Sequence, residues 1–444
     1  GAAAAAEGLV SSGAGGGEAF TPDAAAWASA GLSRWKRAPA SHRISASQPW
    51  IDDAWRAAPT QLAAAPRSIG ASVESSEAPV LLIKAQGATT GQVVDAGIPR
   101  EWEDLFVEGS VRLLGRKRKT LFFDARLTAA PDTTVMFKAC PTYLDSTQRE
   151  VRVGTLLNAA RAVSTLTGQA HGNVEAVFDV RETLRTTFIL VEAGDNTLEG
   201  LMHSHAARAV GQDWRSRALP LERSLPIIID ILRGCLELEA LELTHGGLSP
   251  ENVYITGDRA FLRGLSTVCR TSGRDPILNS QGLQDPNDGV GTTITSPFWQ
   301  PPEAWRGAPC FTDDHSWAAG LLFAYMCLGY SPVEEFFESW EVKHTNWNAA
   351  RAAVGLHFSI EKAPHFSELD EEVQNIIRNM VRPISNRWEP DHALQEIEHL
   401  AKARGLDTLG PRTRPTLFVD ELHLSGLPLQ DILGQVGAFE DAWQ

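Results

Sequence analysis

The sequence predicts an α+β fold in which a β-rich part precedes an α-helical part. Three observations carry that expectation. Short apolar or alternating runs separated by turn residues occupy 111–140 and 174–191, a long amphipathic stretch follows at 222–243, and the later segments repeat at helical spacing. In order, 111–114, 121–127 and 133–140 read as a β-meander, 146–166 as a helix, and 174–180 and 186–191 as further strands. The 222–243 stretch carries Ser224 and Pro226 near its start, where helices favour them. Two strands, 253–255 and 260–262, flank a Gly257-Asp258 turn, and helices are predicted at 317–330, 370–382 and 391–404.

Composition bounds the function. The chain has 444 residues, 43% of them hydrophobic and 21% charged, which are the proportions of a globular protein. A net charge of −15 argues against a nucleic-acid partner. The longest apolar run, 317–330, is shorter than the ~20 residues of a spanning helix and reads as a buried core helix, so no transmembrane segment is expected. Five scattered cysteines without a C-x-x-C pair argue against a zinc site, and no metal is expected. The sparse, odd set reads as thiols that are mostly core filler, with a single Cys269–Cys310 disulfide as the alternative. Residues 1–97 are rich in Ala, Gly and Ser and form a low-complexity N-terminal extension. Its Trp27, Trp35, Trp50 and Trp55 belong either to short docking segments or to a leader with incidental indoles. The folded part divides at 98–192 and 193–405, with 406–444 as a C-terminal extension. Gly1 without a preceding methionine reads as a processed product or a fragment.

The motifs that carry chemistry begin at His245-Gly246-Gly247-Leu248-Ser249-Pro250-Glu251-Asn252. This has the outline of the protein-kinase catalytic loop H-R-D-L-x-x-x-N, with glycines at the arginine and aspartate positions. Val135-Met136-Phe137-Lys138 resembles V-A-I-K, Glu150 follows where the lysine's ion-pair partner would sit, and Gly264-Leu265-Ser266 stands where D-F-G is expected. Pro301-Pro302-Glu303 matches the A-P-E position, His315 and Trp317 match D-x-W, and Arg387 matches the arginine that pairs with the A-P-E glutamate. The order of these motifs resembles the protein kinases over about 102–400 and implies a bilobal protein-kinase-like fold. The combination of P-P-E, a long N-terminal extension and degraded catalytic motifs resembles the rhoptry and dense-granule kinase family of apicomplexan parasites. Within it, the chain is similar to the branch lacking the glycine-rich loop, which includes a bradyzoite pseudokinase. That resemblance implies a secreted location: rhoptry or dense granule, parasitophorous vacuole or cyst wall.

The implied site is degenerate. Gly247 cannot accept a substrate proton and Gly264 cannot hold a metal, so no catalytic residue is expected. Lys138, Glu150 and Asn252 remain as a vestigial nucleotide site. Lys138 either meets phosphates or serves with Glu150 to fix the helix on the sheet. Asn252 is expected to bond the loop backbone, and His245 to be a packed core residue. Glu303, Trp317 and Arg387 are structural, with a buried Glu303–Arg387 pair expected. The turn aligned with the glycine-rich loop, 115–120, keeps one glycine and carries Arg116, Lys117, Arg118 and Lys119. These four cations form a solvated hairpin turn, a contact for an acidic partner or peripheral membrane surface, or a phosphate contact.

The expectation is a catalytically inactive, kinase-like scaffold or allosteric partner for another protein, with no cofactor required and ATP binding open without catalysis. The alternative is an atypical ATP-dependent serine/threonine kinase using Lys138, Asn252 and a relocated acid, for which Asp258, Glu251 and Asp195 are the candidates.

Overall fold

The computed structural model describes residues 98–117, 119–166, 172–208, 214–270, 297–302, 313–339, 354, 357–406, 410 and 412. The expected N-terminal extension, most of the segment between the D-F-G and A-P-E positions, Glu303, Cys310, Arg118 and most of 406–444 lie outside them.

The meander forms as the alternation requires. Strands β1 (Arg112–Lys117), β2 (Thr120–Arg126), β3 (Thr134–Pro141), β4 (Val177–Glu182) and β5 (Thr186–Glu192) make one antiparallel sheet in the order β1-β2-β3-β5-β4. One face buries Phe123, Phe137, Phe188 and Leu190 against Trp102 and Phe106. The Phe123 and Phe137 rings lie 4.7 Å apart, and Trp102 packs edge-on to Phe137 at 5.8 Å. The Trp102 indole N–H donates to Asp179 at 2.9 Å, so the chain entering the sheet is held by packing and a buried hydrogen bond together. Helix α1 (Asp145–Leu166) follows β3 and carries Glu150 and the fully buried Arg149.

After β5 come a two-residue strand β6 (Asn196–Thr197) and helices α2 (Leu198–Arg208) and α3 (Trp214–Arg217). Helix α4 (Leu221–Glu239) buries Leu225, Ile227, Ile228, Ile231, Leu232 and Leu238. It ends four residues before the predicted 243. Glu242 takes a left-handed conformation, φ 56°, that turns the chain, and Leu243–Thr244 become strand β7, paired with β10 (Cys269–Arg270). Between them, β8 (Val253–Thr256) and β9 (Arg259–Leu262) form a hairpin with a left-handed glycine, Gly257, at its turn.

The predicted 317–330 helix is α5 (Asp313–Leu328), buried from His315 to Leu328. Among the described residues no helix is long and apolar enough to cross a membrane. Helices α6 (Pro332–Ser339), α7 (Glu371–Met380) and α8 (Pro390–Ala403) complete the helical part. Helix α7 is capped by the Asp370 carboxylate, which accepts from the Glu372 N–H. The main core runs from the inner face of the sheet through α4, α5, α7 and α8.

Candidate functional site: a filled cleft

Lys138 projects from β3 and is buried. Its ammonium pairs with Glu150 of α1 and, at 3.1 Å, with Glu175, which leads into β4. Burial works against the charged ammonium, but the adjacent Glu150 and Glu175 carboxylates outweigh it and raise the lysine pKa. Glu175 is also fully buried, and its second oxygen lies 2.5 Å from Nε of Arg263. Two cations and two carboxylates therefore close on one another, and Lys138 has two anionic partners without a phosphate.

Arg263 immediately precedes Gly264 and points into the same space. Its guanidinium lies 4.5 Å from the Tyr254 ring and 5.7 Å from the Phe122 ring, with Nη1 3.3 Å from the Met136 sulfur. Phe122 is the cross-strand neighbour of Lys138, and Tyr254 is the second residue after Asn252. The space beside the lysine is filled by a cation sandwiched between aromatic rings.

The loop from His245 to Asn252 is built for packing. The His245 imidazole is fully buried: its Nε2–H donates to the Arg263 carbonyl at 2.8 Å, and Nδ1 accepts from the Gly247 N–H at 3.3 Å. Burial, chiefly, pushes its pKa down to about 4, so the ring is neutral at pH 7. The Asn252 amide donates to the Gly247 carbonyl at 2.7 Å. Gly246 has φ +64°, and a Cβ there would collide with the Thr267 carbonyl oxygen. A Cβ on Gly247 would lie 2.5 Å from the Thr267 hydroxyl, which sits 2.9 Å from both the His245 and Gly264 carbonyl oxygens. Gly264 has φ +89°, and a Cβ there would lie 2.8 Å from the Asn252 amide oxygen. Glycines stand at both catalytic-aspartate positions, and a side chain at either would first have to shift Thr267 or the Asn252 amide.

The structural positions are treated differently. His315 stands where D-x-W has its aspartate, yet its Nε2 still accepts the His245 backbone N–H at 2.8 Å. The ring is oriented by Glu239, which accepts from Nδ1 at 2.8 Å. Arg387 lies 5.1 Å over the Trp317 ring and donates to the Arg382 carbonyl at 2.9 Å. Its expected partner Glu303 lies outside the described residues. Arg149 reaches from α1 to the Val268 carbonyl at 3.5 Å, tying that helix to the segment after Gly264. Cys269 is disulfide-bonded, with its partner outside the described residues; Cys140, Cys235 and Cys327 are free and buried.

The 115–120 segment lies at the tip of the β1–β2 hairpin, as the hairpin-turn reading expects, with Lys117 paired to Thr120. Gly115, Arg116 and Lys117 continue β1 and pair with Phe122, Leu121 and Thr120, so their backbone groups belong to the ladder. Lys119 lies 5.6 Å over the Tyr143 ring. Of the relocated acids, Asp195 accepts from the Gly257 N–H at the hairpin turn, where Asp258 also lies, at the end of the hairpin away from Gly264. Among the described residues no three His, Cys, Asp or Glu side chains gather as a metal site. Beside Asn252, whose amide N–H is given to the Gly247 carbonyl, position 264 is a glycine and offers no carboxylate to a hard cation.

Glu175 and Arg263 escaped the sequence reading. Each is a lone charge inside an apolar run, 174–178 and 261–265, and two such charges of opposite sign are a signature of a buried pair.

No protein-family model matches the chain. It is similar to the serine/threonine-protein kinase/endoribonuclease IRE1 of Oryza sativa subsp. japonica, 24% identical over 271 residues. The match covers 57% of this chain and 29% of that protein, so the chain spans less than a third of its relative. The chain carries a protein-kinase-like domain. Within that domain, the five-stranded sheet, the Lys138–Glu150 pair and the His245–Asn252 loop occupy the corresponding motif positions in order.

Proposed function

We propose that this kinase-like domain is catalytically inactive and acts as a binding scaffold or allosteric partner for another protein. The observation that carries the reading is the filled cleft: Arg263 lies between Phe122 and Tyr254, and with Glu175 it completes a neutral network around Lys138. A nucleotide would have to displace the guanidinium, leaving Glu175 buried with Lys138 alone. The atypical-kinase alternative needs a carboxylate beside Asn252. The Asn252 amide is instead engaged by the Gly247 carbonyl, and Glu175 is held by Lys138 and Arg263. Loss of a general base lowers rate by about 10²–10⁴, before the missing metal aspartate is considered. The secreted parasite compartment belongs to the same proposal and rests on the P-P-E form and the degraded loop motifs.

The test is transfer of labelled γ-phosphate to the chain itself and to generic serine/threonine substrates, with Mg²⁺ or Mn²⁺. Incorporation should equal that of a Lys138→Ala control. Lysine-dependent incorporation above that background would overturn the proposal.

A further inference from the structure

Glu192, the last residue of β5, is buried, and a buried carboxylate requires a cation. Arg412 provides it from far along the chain. Its guanidinium pairs with Glu192, donates to the Gly172 carbonyl at 3.2 Å, and lies 4.4 Å over the Phe261 ring. Both side chains of the pair are almost sealed, at 10% and 5% exposed. Two residues earlier, the Gly410 carbonyl accepts from Arg259 at 2.9 Å, while Arg259 also pairs with Asp230 of α4 at 2.8 Å.

The Arg412 contact continues toward the cleft. Phe261 is the cross-strand partner of Tyr254, with ring centroids 5.8 Å apart, and Tyr254 in turn carries the Arg263 guanidinium. Gly194, in the connector leaving β5, faces the same two rings. A Cβ there would lie 2.6 Å from Tyr254 and 3.3 Å from Phe261, so the connector approaches them as closely as a backbone can. Two arginines thus bracket one aromatic pair, each bonded to its own buried carboxylate, Glu175 or Glu192.

We propose that Arg412 is a clasp, a positioning residue that locks the 193–195 connector onto the β8–β9 hairpin and so seats Tyr254 beneath Arg263. Arg412, with the Gly410 carbonyl two residues before it, is then part of the device that keeps the cleft filled. Removing Arg412 frees the connector and loosens the hairpin, whether or not the cleft ever transfers phosphate.

The test is thermal unfolding and amide hydrogen exchange on the 444-residue chain. Arg412→Ala should lower the midpoint by roughly 6–15 °C, because it strands a buried carboxylate. Exchange should speed up across 192–197 and 253–263 and stay at wild-type rates across 371–403. The double variant Arg412→Gln with Glu192→Gln removes both charges, so it decides the matter even if the single variant does not fold. It should recover most of the midpoint while 253–263 still exchanges faster than wild type. Wild-type exchange at 253–263 in the double variant would overturn the clasp as a passive contact. Equal acceleration across 371–403 would overturn it as general destabilisation.

Discussion

The cleft around Lys138 and the anchor around His315 both depart from kinase motifs, and they depart in opposite ways. At the anchor the side chain changes and the interaction survives. An imidazole replaces a carboxylate, accepts the same kind of backbone N–H, and recruits Glu239 to fix its tautomer. At the cleft the interaction is gone and so is its room. Gly247 and Gly264 abut Thr267 and Asn252, while Arg263 fills the space beside Lys138. At position 315 a chemically equivalent acceptor stands in for the motif residue, whereas at 247 and 264 glycines stand against Thr267 and Asn252. Lys138 is kept outright, and its pairs with Glu150 and Glu175 join β3, α1 and the entry to β4.

The contrast can be broken most severely at Glu175. Glu175→Ala leaves Lys138 and Arg263 buried with one carboxylate between them and should destabilise the chain by about 3–5 kcal/mol in chemical denaturation. A loss below about 1 kcal/mol would mean that water reaches the network. Lowering the pH attacks the other side of the loop. His245 has a folded-state pKa of about 4 against an ordinary 6.5, so the unfolded chain takes up its proton first. The contribution of His245 is fully present above about pH 6.5 and is lost as the pH falls toward 4, by roughly 3 kcal/mol in all. His245→Gln should flatten that part of the stability–pH profile, and an unchanged slope would place the titration elsewhere.

Smaller effects sharpen the same contrast. Restoring the catalytic aspartate by Gly247→Asp should cost about 1–3 kcal/mol through overlap with Thr267 and yield no phosphoryl transfer. Adding Thr267→Ala should relieve part of that loss, and a coupling near zero between the two changes would refute the steric explanation. His315→Ala should cost about 1–3 kcal/mol, since the His245 N–H loses its buried acceptor. A neutral outcome would mean that water replaces the ring.

Local chemistry was legible in the sequence and long-range pairing was not. The meander could be read because β1, β2 and β3 alternate or run apolar between turn residues, and the apolar run through α5 announced a buried helix. Motif order placed Lys138 and Glu150 together and put His315 in the aspartate's position. The end of α4 was misjudged because the turn is made at Glu242, a residue type that seldom adopts a left-handed conformation. Helices α2 and α3 went unread because residues such as His203, Ser204 and His205 interrupt any apolar stripe. The cleft itself was hidden, since nothing local links Glu175 to Arg263 or Glu192 to Arg412. Only the fold brings them together, and a lone charge in an apolar run signals burial without naming its partner.

Thermal unfolding with and without millimolar ATP, each in Mg²⁺, Mn²⁺ or EDTA, tests the filled cleft most directly. On the proposed reading the midpoint stays where it is under every condition, since the Arg263 guanidinium fills the space between Phe122 and Tyr254 beside Lys138. A ligand at 100 times its Kd would stabilise the chain by about 2.7 kcal/mol. A rise of that size, in any of the three, would contradict the account.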